Sequence, residues 1–253
     1  MKRFFTFLLT LMVVSSIFGC GTLNNIKKKE GGTKDSSALI KHMGASTVAL
    51  VAQRRGDTLP YCTGVWVDKN IIMTAHHCVE GAAQLAGASE DEDIDVIGLK
   101  IHYIIETEVT GIEEEPTGWH LGTVVMSDMK HDLALVRAEG VNIPKHDIAK
   151  IASRSPSLGE RLHFVGHVKG LYWTYVEGNV AAYRDSLPIN EKRLGPYLQV
   201  SAPVYFGNSG GGAFNTDGEV VGIASFIIKV PLTAFYVHAD SMRKIVADYK
   251  EVK

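Results

Sequence analysis

Short apolar runs separated by turn-forming residues are the feature that most constrains the fold of this chain. The runs are rich in Val, Ile, Leu and aromatic residues, and Gly, Asp or Asn stands between many of them. Many short strands with turns between them are typical of a β-sandwich or a β-barrel. We therefore predict an all-β domain with strands over 47–52, 65–67, 71–73, 94–105, 124–126, 133–136, 162–165, 172–176, 198–201, 220–226 and 235–238.

One helix is expected after the last predicted strand. Met242, Ile245 and Tyr249 recur at the spacing of one helix face. Ser241 stands in front of them as a capping residue. We predict a helix over 241–250.

A serine on a glycine-rich turn, in the run 207–211 (Gly-Asn-Ser-Gly-Gly), is the main candidate for chemistry. A serine hydroxyl is a poor nucleophile at neutral pH, so Ser209 needs an adjacent base. It also needs backbone N–H donors for the oxyanion that forms on attack, and glycines let the main chain turn tightly enough to present them. Far upstream, the run 74–78 (Thr-Ala-His-His-Cys) supplies His76 and His77 as candidate bases.

Each motif alone has another interpretation. A glycine-rich run with a serine is often only a loop, and two histidines beside a cysteine are metal-ligand types. We expect no metal at His76 and His77, because no second Cys/His cluster follows at zinc-finger spacing. Neighbouring side chains on a strand also point to opposite faces. The acidic runs 90–95 and 113–115 are expected to be solvated loops, with a calcium site as the alternative.

Together and in this order, the motifs resemble those of the trypsin-like (chymotrypsin-fold) serine peptidases. In that family a Thr-Ala-Ala-His-Cys run holds the general base, which matches His77 and puts His76 at the usual alanine. The family's acid opens a short apolar strand, as Asp132 does in the run 131–136 (His-Asp-Leu-Ala-Leu-Val). The run 222–226 (Gly-Ile-Ala-Ser-Phe) is similar to the strand that lines the substrate cleft. The chain order of histidine, aspartate and serine is that of chymotrypsin.

The resemblance, which extends over residues 47–247, implies both a fold and a site. The implied fold is two antiparallel β-barrels of the six-stranded type with a short C-terminal helix. The first barrel would hold the base and the acid, and the second would hold the nucleophile. The implied residues are His77, Asp132 and Ser209 for catalysis, the N–H groups of Gly207 and Ser209 for the oxyanion hole, and Ser225, Phe226 and Ile227 for the cleft. No cofactor is implied.

Asn208 indicates a bacterial subgroup of this family. Digestive members carry an aspartate before the nucleophile, and that aspartate pairs with a new N-terminal amine after activation cleavage. The neutral Asn208 resembles the high-temperature-requirement (Htr/Deg) proteases instead, and implies a site that needs no zymogen cleavage. Unlike most Htr/Deg proteases, this sequence ends just after the predicted helix, so we expect no PDZ module.

The specificity pocket can be estimated by counting from the nucleophile. Pro203 falls at the base of the pocket, so no trypsin-like preference for Lys or Arg is expected. Ile227 replaces the glycine that opens the pocket in trypsin-like enzymes, and Tyr236 is expected to intrude from the opposite wall. Both would favour small or medium apolar side chains. Alternatively, His238 would polarise the pocket toward acidic side chains, as a histidine does in glutamyl endopeptidases.

The N-terminus has the pattern of an export signal. Lys2 and Arg3 precede an apolar stretch over 4–18, which is short for a membrane span and typical of a signal peptide. The stretch ends at Cys20 in a sequence that resembles the bacterial lipobox, where the cysteine is lipidated. The alternative is ordinary signal-peptidase cleavage, because Phe18 departs from the usual lipobox residue. We expect a signal peptide over 1–19, a tether over 20–37 and a peptidase domain over 38–253.

The remaining cysteines and the charge complete the interpretation. The family has a second cysteine in a Cys-x-Gly run sixteen positions before the first, and Cys62 matches it, so the resemblance implies a Cys62–Cys78 disulfide. Export would place that pair in an oxidising compartment. A net charge of −2 gives no electrostatic reason to bind nucleic acid.

The function predicted from the sequence is a secreted serine endopeptidase. We expect a lipoprotein anchored on the periplasmic or extracellular face of a bacterial envelope, with polypeptides as substrates and the membrane as its partner. The alternative is a catalytically silent, lipid-anchored binding protein on a peptidase fold, because a fold does not fix a function.

Overall fold

The computed structural model describes residues 36–54, 57–88, 95–105, 118–187 and 195–252. Helix α1 (Ser36–Ala45) precedes the first barrel, α2 (His76–Leu85) lies within it, and α3 (Ala239–Val252) follows the second. The strands are β1 (Thr47–Arg54), β2 (Asp57–Asp68), β3 (Ile71–Thr74), β4 (Lys100–Ile105), β5 (His120–Asp128), β6 (Leu133–Ala138), β7 (Arg161–Val168), β8 (Leu171–Arg184), β9 (Tyr197–Ser201), β10 (Gly212–Phe214), β11 (Val220–Ile227) and β12 (Ala234–His238).

The twelve strands found within the described residues close into two antiparallel barrels. The strand order is β1-β2-β3-β6-β5-β4 in the first barrel and β10-β11-β12-β9-β8-β7 in the second. Closure pairs every strand on both sides and leaves no open sheet edge. The prediction of an all-β, chymotrypsin-like fold with a C-terminal helix is confirmed.

Apolar side chains fill each barrel and the region where the barrels meet. The first barrel encloses Leu50, Trp66, Ile72, Tyr103 and Val136, and the second encloses Leu162, Phe164, Val180, Leu198 and Tyr236. A third cluster joins the two barrels to α1 and α3, and it includes Met43, Val65, Leu135, Phe214, Ile223 and Met242. Successive side chains of a strand point to opposite faces, so one strand can contribute to its barrel interior and to this third cluster. The shared cluster packs the two barrels into one body, which can hold side chains of both barrels in a fixed arrangement.

Three elements are missed by the sequence prediction. Helix α2 occupies the segment around His76 and His77, where the sequence analysis assumes a strand, and β10 is a three-residue strand that begins with a glycine. Helix α1 begins at Ser36, where the end of a tether is expected. The strand predicted over 94–105 starts only at Lys100.

Several predictions lie outside the described residues. They are the signal peptide, Cys20, nearly all of the tether and most of the two acidic runs. Within the described residues, none of the helices has both the length and the apolar character required to cross a bilayer.

Candidate active site

A disulfide holds the candidate base next to the first barrel wall. Cys62 of β2 and Cys78 of α2 are bonded, with their Cα atoms 6.1 Å apart. His77, in the first turn of α2, lies between the end of β3 and this bridge. The bridge therefore ties the start of the helix to the neighbouring strand, and the segment that carries His77 has little freedom to move.

The side chain of Asp132 fixes the orientation of the His77 ring. His77 Nδ1 lies 3.0 Å from Asp132 Oδ2, and the backbone N–H of His77 donates to Oδ1 at 3.0 Å. The hydroxyl of Ser225, on β11 of the second barrel, donates to Oδ2. These donors replace water around a fully buried carboxylate. Because Nδ1 faces the carboxylate, Nε2 is the ring nitrogen left for chemistry.

Asp132 itself has a backbone conformation that is uncommon for a residue with a side chain. Its φ is 55°, in the left-handed region. Such conformations persist when the surroundings over-determine them, and they concentrate at functional sites. Here the bonds to His77 and Ser225 supply that constraint.

The two adjacent histidines point to different partners. His76 is buried, and its Nδ1 lies 2.6 Å from the hydroxyl of Ser127 on β5, away from Asp132. His76 and His77 both open a helix, so the strand expected here, with neighbouring side chains on opposite faces, was wrong. His77 does group with Cys62 and Cys78 within 4.8 Å. Both sulfur atoms belong to the disulfide, however, whereas a metal needs thiolates.

Ser209 lies on a loop that is packed backbone against backbone. Gly207 has a φ of 98°, and a Cβ placed there would lie 2.0 Å from the carbonyl oxygen of His167. Thr63 of the first barrel binds this loop twice, by its hydroxyl to the Gly207 carbonyl at 2.7 Å and by its N–H to the Ser209 carbonyl at 2.8 Å. The loop that carries the serine is therefore held against the first barrel.

The backbone donors of this loop divide into two groups. The N–H groups of Asn208, Gly210 and Gly211 donate to the carbonyls of Tyr205, Ala224 and Asn208. The N–H groups of Gly207 and Ser209 donate to no protein acceptor within the described part of the chain. Two backbone N–H groups left free beside a serine can donate together to an oxygen of a ligand.

A cleft of about 400 Å³ joins His77, Ser209 and a mostly apolar wall. Its lining comprises Tyr61, Cys62, His77, residues 204–207, Ser209, residues 224–227, Ala234 and Phe235. The cleft residues expected from the sequence, Ser225, Phe226 and Ile227, are all among them. Tyr61, residues 204–206, Ala234 and Phe235 were not predicted. Tyr61 is next to Cys62 and residues 204–206 directly precede Gly207, so matched motifs offered a signal for them, whereas a loop separates Ala234 and Phe235 from any motif.

Of the three residues predicted for the specificity pocket, Ile227 lines this cleft, whereas Pro203 and Tyr236 do not. Pro203 lines a neighbouring cavity, and Tyr236 is buried with its ring 5.3 Å from that of Phe164. A β-bulge between Ala224 and Phe226 shifts the pairing of β11 with β12, so a count along the strand misplaces the opposite wall. The prediction that Tyr236 intrudes into the pocket was wrong.

His238 also lies outside the cleft. Its Nδ1 accepts the N–H of Asp240 at 3.3 Å, and its ring packs edge-on against Tyr183 at 5.8 Å. Burial lowers the pKa of His238, which disfavours a charged ring. The alternative in which this histidine polarises the pocket toward acidic side chains finds no support in this position.

The comparisons with known proteins agree with this geometry. The family model of the trypsin-like peptidase domain matches residues 62–223. A probable periplasmic serine endoprotease DegP-like of Hahella chejuensis is 38% identical over 104 residues, which cover 41% of this chain and 21% of that protein. A serine protease HtrA-like of Staphylococcus aureus is 30% identical over 139 residues, covering 51% and 18%. The chain thus matches about a fifth of the length of these curated relatives.

Solved structures share the fold at low sequence identity. The active form of the Rv3671c protease from M. tuberculosis has a TM-score of 0.62 at 16% identity, covering 84% of this chain and 84% of that one. The serine endoprotease from Yersinia pestis has a TM-score of 0.60 at 21% identity, covering 84% and 65%. The family model covers more than half of the chain, so the chain belongs to the trypsin-like peptidase family, and over the matched residues it is similar to the DegP-like and HtrA-like relatives.

Proposed function

We propose that this chain is a serine endopeptidase in which Ser209 is the nucleophile, His77 the general base and Asp132 the orienting acid. The observation that carries this assignment is the bond from His77 Nδ1 to buried Asp132, which leaves Nε2 on a ring that lines the same cleft as Ser209. In the proposed reaction Ser209 Oγ attacks a peptide carbonyl while His77 Nε2 takes its proton. Asp132 stabilises the imidazolium that forms.

The free N–H groups of Gly207 and Ser209 support an assignment as the oxyanion hole. They would donate to the negative oxygen of the tetrahedral intermediate, where two fixed donors stabilise the charge without reorganising. His77 would then give its proton to the leaving amine, and the acyl group would remain on Ser209. Attack by water, with the same residues in the same roles, would release the second product.

The lining of the cleft supports a preference for apolar side chains. No Asp, Glu, Lys or Arg is among the described residues that line it, so a charged substrate side chain would lose its hydration without gaining a partner. Val204, Ile227 and Ala234 would contact the substrate side chain before the scissile bond. We propose small or medium apolar residues at that position.

Export and membrane attachment belong to the same proposal. We propose that residues 1–19 are removed, that Cys20 carries the lipid, and that a tether up to residue 37 connects the lipid to the peptidase domain from residue 38. The proposed location is the periplasmic or extracellular face of a bacterial envelope. The name of the relative from Hahella chejuensis, a probable periplasmic protease, supports export.

The mature protein and a fluorophosphonate probe provide the test. We expect the probe to label the wild-type protein, and we expect Ser209→Ala to abolish both labelling and cleavage of casein. Ser201→Ala, at an exposed position at the end of β9, is the control and should behave as the wild type. Cleavage of casein by Ser209→Ala at the wild-type rate would refute the assignment. A folded wild type that is neither labelled nor active would support the silent binding protein instead.

A further inference from the structure

The loop that carries the free donors rests on the end of strand β7. We call residues 205–210 the oxyanion loop. The N–H of Lys169 donates to the Phe206 carbonyl at 3.1 Å, and Gly207 lies directly against the carbonyl of His167. One step earlier, a Cβ on Gly166 would lie 2.1 Å from the side-chain oxygen of Asn208. A shift of residues 166–169, at the end of β7, would therefore move the oxyanion loop, because no space separates the two segments.

His167, whose carbonyl supports Gly207, is fixed from its other side by Trp173. The ring of His167 is fully buried and lies edge-on to the indole, with centroids 4.6 Å apart. Its Nδ1 accepts the backbone N–H of Trp173 at 3.2 Å, so the ring proton is on Nε2. His167 thus presents one fixed tautomer to Trp173.

Trp173 connects β8 to α1 and to the first barrel. Its indole Nε1 donates to the carbonyl of Gly44 in α1 at 3.2 Å, and its ring packs on Ala49, Val51 and Ile104 of the first barrel. Its φ is 47°, a left-handed conformation that is rare for a bulky residue. Backbone outliers of this kind are retained where the surroundings impose them, and they are enriched at sites that must be held in one geometry.

From these contacts we propose that Trp173 is a positioning residue for the oxyanion hole. It joins α1 and the first barrel, which carries His77 and Asp132, to the segment of β7 that contacts the oxyanion loop at Gly207 and Asn208. The proposal rests on the function proposed above. Its physical basis is that the oxyanion donors and the base belong to different barrels, while an error of about 1 Å between such groups is enough to slow a reaction about a hundredfold.

Trp173→Phe is the central variant, because it removes the indole donor and keeps an aromatic ring. We expect kcat to fall about tenfold while KM stays within about twofold, since the lost interaction acts on the transition state. Trp119→Phe is the matched control, because Trp119 packs against His102 of the first barrel and does not line the cleft. It should keep the wild-type kcat. Trp173→Gly, which suits the left-handed backbone but has no ring, should lose more activity than Trp173→Phe.

Amide hydrogen exchange tests the same proposal without relying on catalysis. In Trp173→Phe, we expect faster exchange in peptides that contain residues 203–211 and unchanged exchange in the rest of both barrels. This readout stands even if Ser209 is not the nucleophile, so the two proposals can fail separately. Unchanged exchange over 203–211, a Trp173→Phe kcat equal to that of Trp119→Phe, or a wild-type kcat in Trp173→Gly would overturn the proposal. Faster exchange spread over both barrels would also overturn it, because Trp173 would then support general stability only.

Discussion

The two barrels hold their parts of the candidate site by different means. The first barrel uses side chains: a disulfide lies beside His77, and the buried carboxylate of Asp132 is hydrogen-bonded to the His77 ring. The second uses main chain against main chain, with Gly207 at a point where no side chain fits. The part of the site on the first barrel should therefore lose function when a side-chain group is removed. The part on the second barrel should lose function when a side-chain group is added. The predictions below test this difference.

The largest effect is expected from the first barrel, on removal of the proposed base. His77→Ala should lower kcat on the order of 10⁶-fold, because the nucleophile then has no proton acceptor. His76→Ala should change kcat only a few-fold, because His76 is bonded to Ser127 instead of Asp132. Steady-state kinetics on one peptide substrate decides between them. Equal losses of kcat in the two variants would contradict the assignment of the base to His77.

The largest effect expected in the second barrel comes from adding a single methyl group. Gly207→Ala should lower kcat about 10²–10³-fold, since the new Cβ would collide with the His167 carbonyl and displace an oxyanion donor. Gly170→Ala is the control, because Gly170 also has a positive φ of 91°, but a Cβ added there would meet no atom within 4 Å. If both variants lost activity equally, backbone strain would explain the loss and the close approach to His167 would not.

Removal of the disulfide should lower the stability of the fold more than the catalytic activity. Cys62→Ser or Cys78→Ser should lower the free energy of unfolding by about 3 kcal/mol, the value expected for a loop of this length. Activity should persist at low temperature and become more temperature-sensitive, because His77 is adjacent to the bridge. Urea unfolding followed by circular dichroism measures the first effect. An unchanged unfolding midpoint would contradict the prediction.

The second barrel should instead be the acid-sensitive one. Burial lowers the pKa of His167 to about 3 and also lowers the pKa values of His163 and His238. The pKa of a histidine in the unfolded chain is about 6.5, so below that pH the unfolded chain binds more protons and stability falls toward the folded pKa. For His167 alone the loss should reach about 2 kcal/mol at about pH 5.

Urea unfolding of the wild type and of His167→Gln at about pH 7.5 and about pH 5 measures this acid sensitivity. The variant should be less stable at the higher pH but should lose less stability on acidification. Equal losses in the two proteins would show that His167 does not contribute.

The smallest effect on catalysis is expected from the proposed lipid site. Cys20→Ala should release the protein from membranes and leave kcat and KM almost unchanged, because Cys20 precedes the first strand of the first barrel in the sequence. Fractionation and mass spectrometry of the mature protein are the measurements. An unmodified Cys20 bridged to Cys62 or Cys78 would refute both the lipid and the disulfide assignments.

The sequence was informative where a motif is local. The run around Ser209 and the run around His77 each fix a short piece of backbone, so their residues could be placed by matching a few positions. Strands with β-branched residues were also found, because their composition and spacing are set by the barrel interiors. Composition and spacing predicted only an all-β sandwich or barrel. The two-barrel fold and the pairing of His77 with Asp132 followed from the resemblance of the motifs to the trypsin-like family.

The rest depends on contacts that no short run encodes. The wall opposite Ile227 was misplaced because one bulge in β11 changes which residue of β12 faces the cleft. Helix α2 was missed because ten residues with an internal glycine give little helical signal. The role inferred for Trp173 depends on contacts with α1 and the first barrel, which are distant in sequence.

The division of the site between two barrels also affects how the protein is made. The N-terminal barrel leaves the ribosome first, and it contains the proposed base and acid but not the proposed nucleophile. Ser209 joins them only when the second barrel has closed and docked, since Thr63 and Ser225 bind across the junction. A chain that is still being synthesised or exported therefore has no complete candidate site, and the proposed cleavage of other proteins would begin only when folding is finished.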